Sequence, residues 1–359
     1  MFLKKIILRN FKNFSESEFV FSPKINAVIG KNGVGKTNLL DAIHYLSLTK
    51  SYLNFSDSQN IRFDCDFFSI HGLFENEGAE EEIFCGFQEE KGKQFKRNSK
   101  TYSRISDHIG IFPLVMISPY DSDLIREGSS VRRKFLDNII SQSNKDYLQN
   151  LMRYNRVLMQ RNSLLKYFFQ NSVFDRNSLE VYDAELIVLG NKIYEERRNL
   201  IKDFLPVFQE YYNSISTGNE KVAIDYVSKL EEASFADLLK NSLQADRTVQ
   251  YTTVGIHKDD LNFRISGHPI KKFGSQGQQK SFLISLKLAQ LELIKMNLNV
   301  TPILLLDDIF DKLDESRVEQ LVKLVNEDRF GQIFISDTHE ERTASIIHKI
   351  NSESKIIKL

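Results

Sequence analysis

The stretch Gly30-Lys31-Asn32-Gly33-Val34-Gly35-Lys36-Thr37 constrains this chain more than any other. It fits the pattern G-x-x-x-x-G-K followed by Ser or Thr, in the context that pattern requires. Ahead of it Ile25–Ile29 is a short strand-like run; behind it Leu39, Leu40, Ile43, Leu46 and Leu48 recur at helical spacing. Strand, glycine-rich loop and helix in that order make a cradle for phosphate. The glycines let backbone N–H groups close around oxygens with no Cβ in the way. The helix N-terminus adds partial positive charge. Lys36 can reach β- and γ-phosphates, and the Thr37 hydroxyl can ligate Mg²⁺. ATP and Mg²⁺ are therefore the expected cofactors.

Two later segments narrow the class. Ile303-Leu-Leu-Leu306-Asp307-Asp308 reads as a buried strand ending in two carboxylates, the form of a Walker B motif. Asp307 is expected to hold Mg²⁺, and Asp308 to orient or deprotonate the attacking water. Phe273-Gly274-Ser275-Gln276-Gly277-Gln278-Gln279 opens a helix that runs through Leu283, Leu286, Leu288, Leu291 and Ile294. Ser275, Gly277 and Gln278 at a helix start form a second anion site, where ABC-type ATPases carry their signature; an ordinary N-cap on Ser275 is the plainer alternative. Asp314, just after the Walker B strand, matches the D-loop position. His339 reads equally as a switch histidine or as a solvated loop residue. His257 and Lys258 carry no derivable role, with packing the default.

Between these ends the text changes. Beyond Ser118-Pro119, Gly and Pro thin out, and Leu179, Tyr182, Leu186, Leu189, Ile193 and Leu200 fall on alternating 3/4 spacing. Leu148, Leu151, Tyr154, Leu158 and Leu165 supply a facing stripe, with 171–177 as the turn. The expected architecture is α/β: a P-loop ABC-type ATPase head, with a mixed sheet and an antiparallel β region, and an inserted helical arm. The expected boundaries are head 1–118, arm 119–249 and head 250–359.

The 359 residues hold 48 Lys and Arg against 48 Asp and Glu, so any nucleic-acid footprint must be local. Candidate phosphate-tracking patches are Lys91, Lys93, Lys96, Arg97, Lys100 and Arg104; then Arg132, Arg133 and Lys134; then Arg153, Arg156 and Arg161. Two cysteines, with no metal-ligand spacing, suit a reducing compartment. No stretch is long and apolar enough to span a bilayer, so no membrane role and a cytoplasmic location are expected.

With those motifs in place, the chain resembles the RecF family of ABC/SMC-like ATPases. The resemblance rests on Leu8-Arg-Asn-Phe-Lys-Asn-Phe14, Ile117-Ser-Pro-Tyr-Asp-Ser-Asp-Leu124, Val131-Arg-Arg-Lys-Phe-Leu-Asp137, Gly255-Ile-His-Lys-Asp-Asp-Leu261 and Gly274 to Gln279, in order along almost the whole chain. It implies a weak ATPase that forms an ATP-dependent homodimer and binds single-stranded or gapped duplex DNA. It also implies RecR- and RecO-like partners, and a place in DNA replication, DNA repair and the SOS response to DNA damage. Ser275, Gly277 and Gln278 of one subunit would then close on the γ-phosphate held by the other. The alternatives are an ABC transporter-type ATPase subunit, or an architectural DNA-binding dimer without productive turnover.

Overall fold

Two kinds of apolar run build two kinds of sheet in a computed structural model of the chain, which describes every residue except 55, 217–219, 310–316, 318, 321–322, 325–328 and 350–352. Strands β1 (Phe2–Phe11), β2 (Phe14–Val20), β4 (Phe67–Asn76), β5 (Ala79–Gln88), β6 (Gly92–Arg97) and β7 (Lys100–Thr101) form an antiparallel sheet in the order β2-β1-β4-β5-β6-β7. β4 buries every second residue from Phe68 to Phe74, as a sheet with one covered face does. The second sheet is all parallel, in the order β14 (Ser354–Lys358), β3 (Ile25–Ile29), β13 (Ile333–Asp337), β12 (Ile303–Asp307), β8 (Leu114–Ile117). Its strands β3, β8, β12 and β13 are buried at every position, which is why they read as near-continuous apolar runs. The parallel and antiparallel strands thus lie in separate sheets.

Helix α1 (Lys36–Leu48) shares one core with both sheets, where Phe74 stacks on Phe112 with ring centroids 4.1 Å apart. Gln332, just before β13, ties the sheets together. Its amide donates to the carbonyls of Leu3 and Ser22 and accepts from the Leu3 N–H, all at 2.7–2.8 Å.

The chain packs as two units. The first comprises Met1–Asp121, Tyr211–Thr217 and Lys280–Leu359; the second comprises Ser122–Glu210 and Gly218–Gln279. In chain order the remaining helices are α2 (Asp123–Arg126), α3 (Ser129–Ser143), α4 (Lys145–Gln170), α5 (Arg176–Ile215), α6 (Phe235–Val249), α7 (Ile270–Phe273), α8 (Gln276–Leu298) and α9 (Glu340–Lys349). As the periodicity predicts, α4 and α5 form an antiparallel hairpin, with Leu179, Leu186, Leu189, Ile193 and Leu200 buried, though Tyr182 of the same stripe is only half-buried. The facing stripe differs in detail. Leu148, Leu151 and Leu158 are only half-buried, while Tyr147, Tyr154, Val157, Arg161, Leu165 and Phe168 are buried.

The boundary expected at 249/250 is corrected: residues 250–279 pack with the second unit. The reason is pairing. β10 (Asp260–Ile265) runs antiparallel to β9 (Val222–Val227) over its whole length, and β11 (His268–Pro269) completes a three-stranded sheet, so the insertion is not purely helical. His257 belongs to this packing. Its Nε2 donates to the Thr252 carbonyl at 3.0 Å and its Nδ1 accepts from the Tyr154 hydroxyl at 2.9 Å. Burial pushes the imidazole down to about 4, so it is neutral at pH 7. Lys258 lies over the Tyr251 ring, 4.9 Å from its centroid.

Two arginines sit inside the second unit. Arg161 is 0% exposed and donates to Asp183 at 2.6 Å, Asp246 at 2.7 Å and the Thr252 hydroxyl at 2.8 Å. Arg197 is 1% exposed and joins Asp137, Asp259 and the Ile256 carbonyl. Removing one partner of such a pair strands the other charge in a dry interior. Arg161→Ala is expected to cost about 3–5 kcal/mol of unfolding free energy. Urea denaturation measures it, and a loss near zero would mean Asp246 finds other partners.

Candidate nucleotide site

The site lies at the C-terminal edge of the parallel sheet, where an open α/β sheet presents loop and helix ends to a ligand. β3 leads directly into the glycine-rich loop, and the loop into α1. Gly33 (φ +82°) and Gly35 (φ +117°) take left-handed backbone that a side chain would resist. At Gly35 space is also short: a Cβ would lie 2.5 Å from Asn13 Nδ2. Asn13 braces the loop from outside, donating to the Val34 carbonyl at 2.8 Å and accepting from Asn38 at 2.7 Å. Lys36 is buried and folds over the loop, its Nζ donating to the carbonyls of Gly30 at 2.8 Å and Lys31 at 3.1 Å.

The sheet register brings the Walker B carboxylate to this loop. Asp307 on β12 pairs across with Ser336 on β13, and Ser336 in turn with Val28 on β3. The Thr37 hydroxyl donates to Asp307 Oδ1 at 3.0 Å, and the Ser336 hydroxyl donates to the same oxygen at 2.7 Å. Burial raises the Asp307 carboxyl above its ordinary range, against the lowering effect of the Ser336 and Thr37 hydroxyls. Asp308 turns the chain at φ +50°, its N–H donating to the Ser336 hydroxyl at 2.9 Å. Its Oδ1 is buried with no hydrogen-bond partner among the described residues.

This donor set fits Mg²⁺. The ion prefers oxygen ligands at about 2.0–2.1 Å in octahedral geometry, which puts adjacent ligands about 2.9 Å apart. The two oxygens of Thr37 and Asp307 stand at 3.0 Å.

Ser275 and Gln278 form a reciprocal cap on α8: Ser275 Oγ accepts from the Gln278 N–H at 3.2 Å, and Gln278 Oε1 accepts from the Ser275 N–H at 2.7 Å. Gln278 also donates to Glu220 at 2.8 Å, and Gly277 lies in the same first turn. These three belong to the second unit and the loop to the first. His339 follows β13, its N–H donating to Asp337 Oδ1 at 3.0 Å. Asp314 lies outside the described residues.

Several of the candidate phosphate-tracking cations are engaged by the protein itself, and for the buried Arg161 this corrects the expectation. Arg132 makes a two-pronged contact with Asp260, Arg133 donates to the Asp259 carbonyl, and Arg153 pairs with Glu185. Arg161 is buried, Lys93 pairs with Asp57 and Arg97 with Glu81. Lys91, Lys100, Arg104 and Arg156 are exposed.

A family model described as the RecF/RecN/SMC N terminal domain matches residues 2–356. With the loop, the Walker B strand and the parallel sheet, this defines the class: an ABC/SMC-type P-loop ATPase. The DNA replication and repair protein RecF of Flavobacterium johnsoniae is 50% identical over 359 residues, covering 100% of both chains. The protein of the same name from Parabacteroides distasonis is also 50% identical, covering 100% of this chain and 97% of the relative. Among solved structures, the recombination mediator protein RecF–ATPrS of the RecFOR pathway superposes with a TM-score of 0.89 at 31% identity, covering 100% of this chain and 96% of that one. RecF–ATP of the same pathway gives 0.88 at 32%, covering 94% and 92%. An Smc head bound to the C-winged helix domain of ScpA shares the fold, with a TM-score of 0.58 at 16% identity over 100% and 94% of the two chains. The chain belongs to the RecF family.

Proposed function

We propose that the chain is an ATP-dependent DNA-binding protein of recombinational gap repair. It hydrolyses ATP slowly, dimerises on ATP and, with RecR- and RecO-like partners, helps load recombinase on gapped or single-stranded DNA in the cytoplasm. The observation that carries this is the contact of Thr37 with Asp307 beside a formed phosphate loop, in a chain alike along its full length to RecF. No helix among the described residues is long and apolar enough to cross a membrane.

In this reading the loop of Gly30, Lys31, Asn32, Gly33, Val34 and Gly35 wraps the phosphates with its backbone N–H groups, except that the Gly30 N–H stays on the Asp337 carbonyl, and Lys36 exchanges its carbonyl partners for β- and γ-oxygens. Thr37 and Asp307 would hold Mg²⁺, which when bound would neutralise charge on the phosphates. Asp308 orients the attacking water and takes its proton. Ser275, Gly277 and Gln278 of one subunit meet the γ-phosphate of the other.

Ser275→Arg tests the composite site. The monomer should bind ATP almost normally, while the ATP-dependent dimer and ATP-stimulated DNA binding disappear. The same change removes a helix cap, worth about 1 kcal/mol, so Ser275→Asp is the companion. It keeps the cap but sets a negative charge where the γ-phosphate would arrive, and it too should remain monomeric. Sedimentation with ATP reads both, and a normal dimer from both variants removes the in-trans role. Steady-state ATPase activity with and without DNA separates the mediator from a purely architectural dimer.

A further inference from the structure

We propose that an exposed basic and aromatic patch formed by Arg126, His268, Lys271, Lys272 and Phe273 is a contact site for single-stranded DNA; the proposal rests on the DNA-binding reading above. Arg126 ends α2, and Lys271 and Lys272 lie in α7. The two elements are pinned together, Lys271 Nζ donating to the Arg126 carbonyl at 2.5 Å. All three side chains are exposed, and none has a carboxylate partner among the described residues. The adjoining Glu127 offsets one charge in part. Elsewhere in the same unit Arg132, Arg153, Arg161, Arg197 and Arg264 each hold an acid, while Arg156 is exposed like the cations of the patch.

Phe273 decides what kind of polyanion fits. It is 63% exposed, immediately after the two lysines, and its ring lies 4.9 Å from that of His268 at 40°. A large apolar side chain left in water beside cations that hold no acid gives a stacking face next to a phosphate track. An unpaired base can lie on such a face, whereas a duplex keeps its base faces hidden in the stack. The backbone here is held in place: Gly274 N donates to the Ile270 carbonyl at 3.0 Å, and Gln279 Nε2 donates to the Gly274 carbonyl at 2.9 Å.

The test uses the full chain with ATP, and fluorescence polarisation of a labelled single strand, a gapped duplex and an intact duplex across a salt series. Lys271→Ala with Lys272→Ala should weaken binding to all three and flatten the log–log salt slope by about 0.7 per lost contact on the single strand. Phe273→Ala should weaken single-strand and gap binding about tenfold and leave the duplex nearly unchanged. Wild-type affinity and slope in the double lysine variant overturn the site while leaving the mediator reading intact. Loss of the ATP-dependent dimer in these variants overturns it too, assigning the patch to a subunit interface. An equal effect of Phe273→Ala on all three DNAs overturns the single-strand preference. A wild-type chain that bound no DNA with ATP would sink the mediator reading and this site with it.

Discussion

Asp308→Asn is expected to lower steady-state ATP hydrolysis by about 10²–10⁴-fold while ATP affinity stays near wild type. The backbone at this position favours the experiment. Asp308 sits at φ +50°, a conformation Asn tolerates as well as Asp, and the N–H bond to Ser336 does not depend on the side chain. The amide matches the carboxylate in size but cannot accept the water's proton. ATP that is not cleaved should prolong the closed dimer and slow DNA release. ATPase rate, dimer lifetime and DNA off-rate should be measured together. Asp307→Asn is the contrast, because it removes the negative charge from the group held by the Thr37 and Ser336 hydroxyls and should impair Mg²⁺-dependent binding as well. Near-normal hydrolysis by Asp308→Asn would assign the water to another residue.

Lys36→Ala is expected to weaken ATP binding by about 2–5 kcal/mol, roughly 30- to 4,000-fold, because a buried cation is withdrawn from the triphosphate. The fold should persist. The Nζ contacts of Lys36 are two carbonyls of its own loop, and the core around α1 is made by Leu39, Leu40, Ile43 and Leu46. Titration calorimetry on the soluble variant gives the affinity and its melting curve gives the fold. Unchanged affinity in a folded variant would withdraw the phosphate-binding role.

The loop and the Walker B strand were legible because each is a local pattern: residues next to one another in the chain do the positioning. The α4–α5 hairpin was legible for the same reason, since helical spacing reports which face is covered. Ser336 was not. It stood in the text beside Asp337 and His339, but only the pairing of β12 with β13 puts its hydroxyl on Asp307. Asn13 was hidden likewise, its contact with Val34 being made through folding and not spacing. The arginines misled in the opposite direction. Arg132, Arg133 and Arg161 read as surface charge because Asp259, Asp260, Asp183 and Asp246 are distant in sequence. A charge is solvated or satisfied according to what the fold sets against it, and composition is silent on that. The boundary at 249/250 failed similarly, because β9 recruits β10 from beyond it.

The neighbours of β3 carry a consequence for how the protein is made. Both strands that flank it, β13 from Ile333 and β14 from Ser354, are encoded near the far end of the message from the loop they support. While the ribosome is still adding the intervening residues, Ile25–Ile29 has neither edge paired and its apolar side chains lack their final cover. An unpaired apolar strand is a template for the wrong partner. The nucleotide pocket is therefore among the last features to mature, and a nascent chain arrested before Ile333 should show the exposed strand to chaperones and bind no ATP.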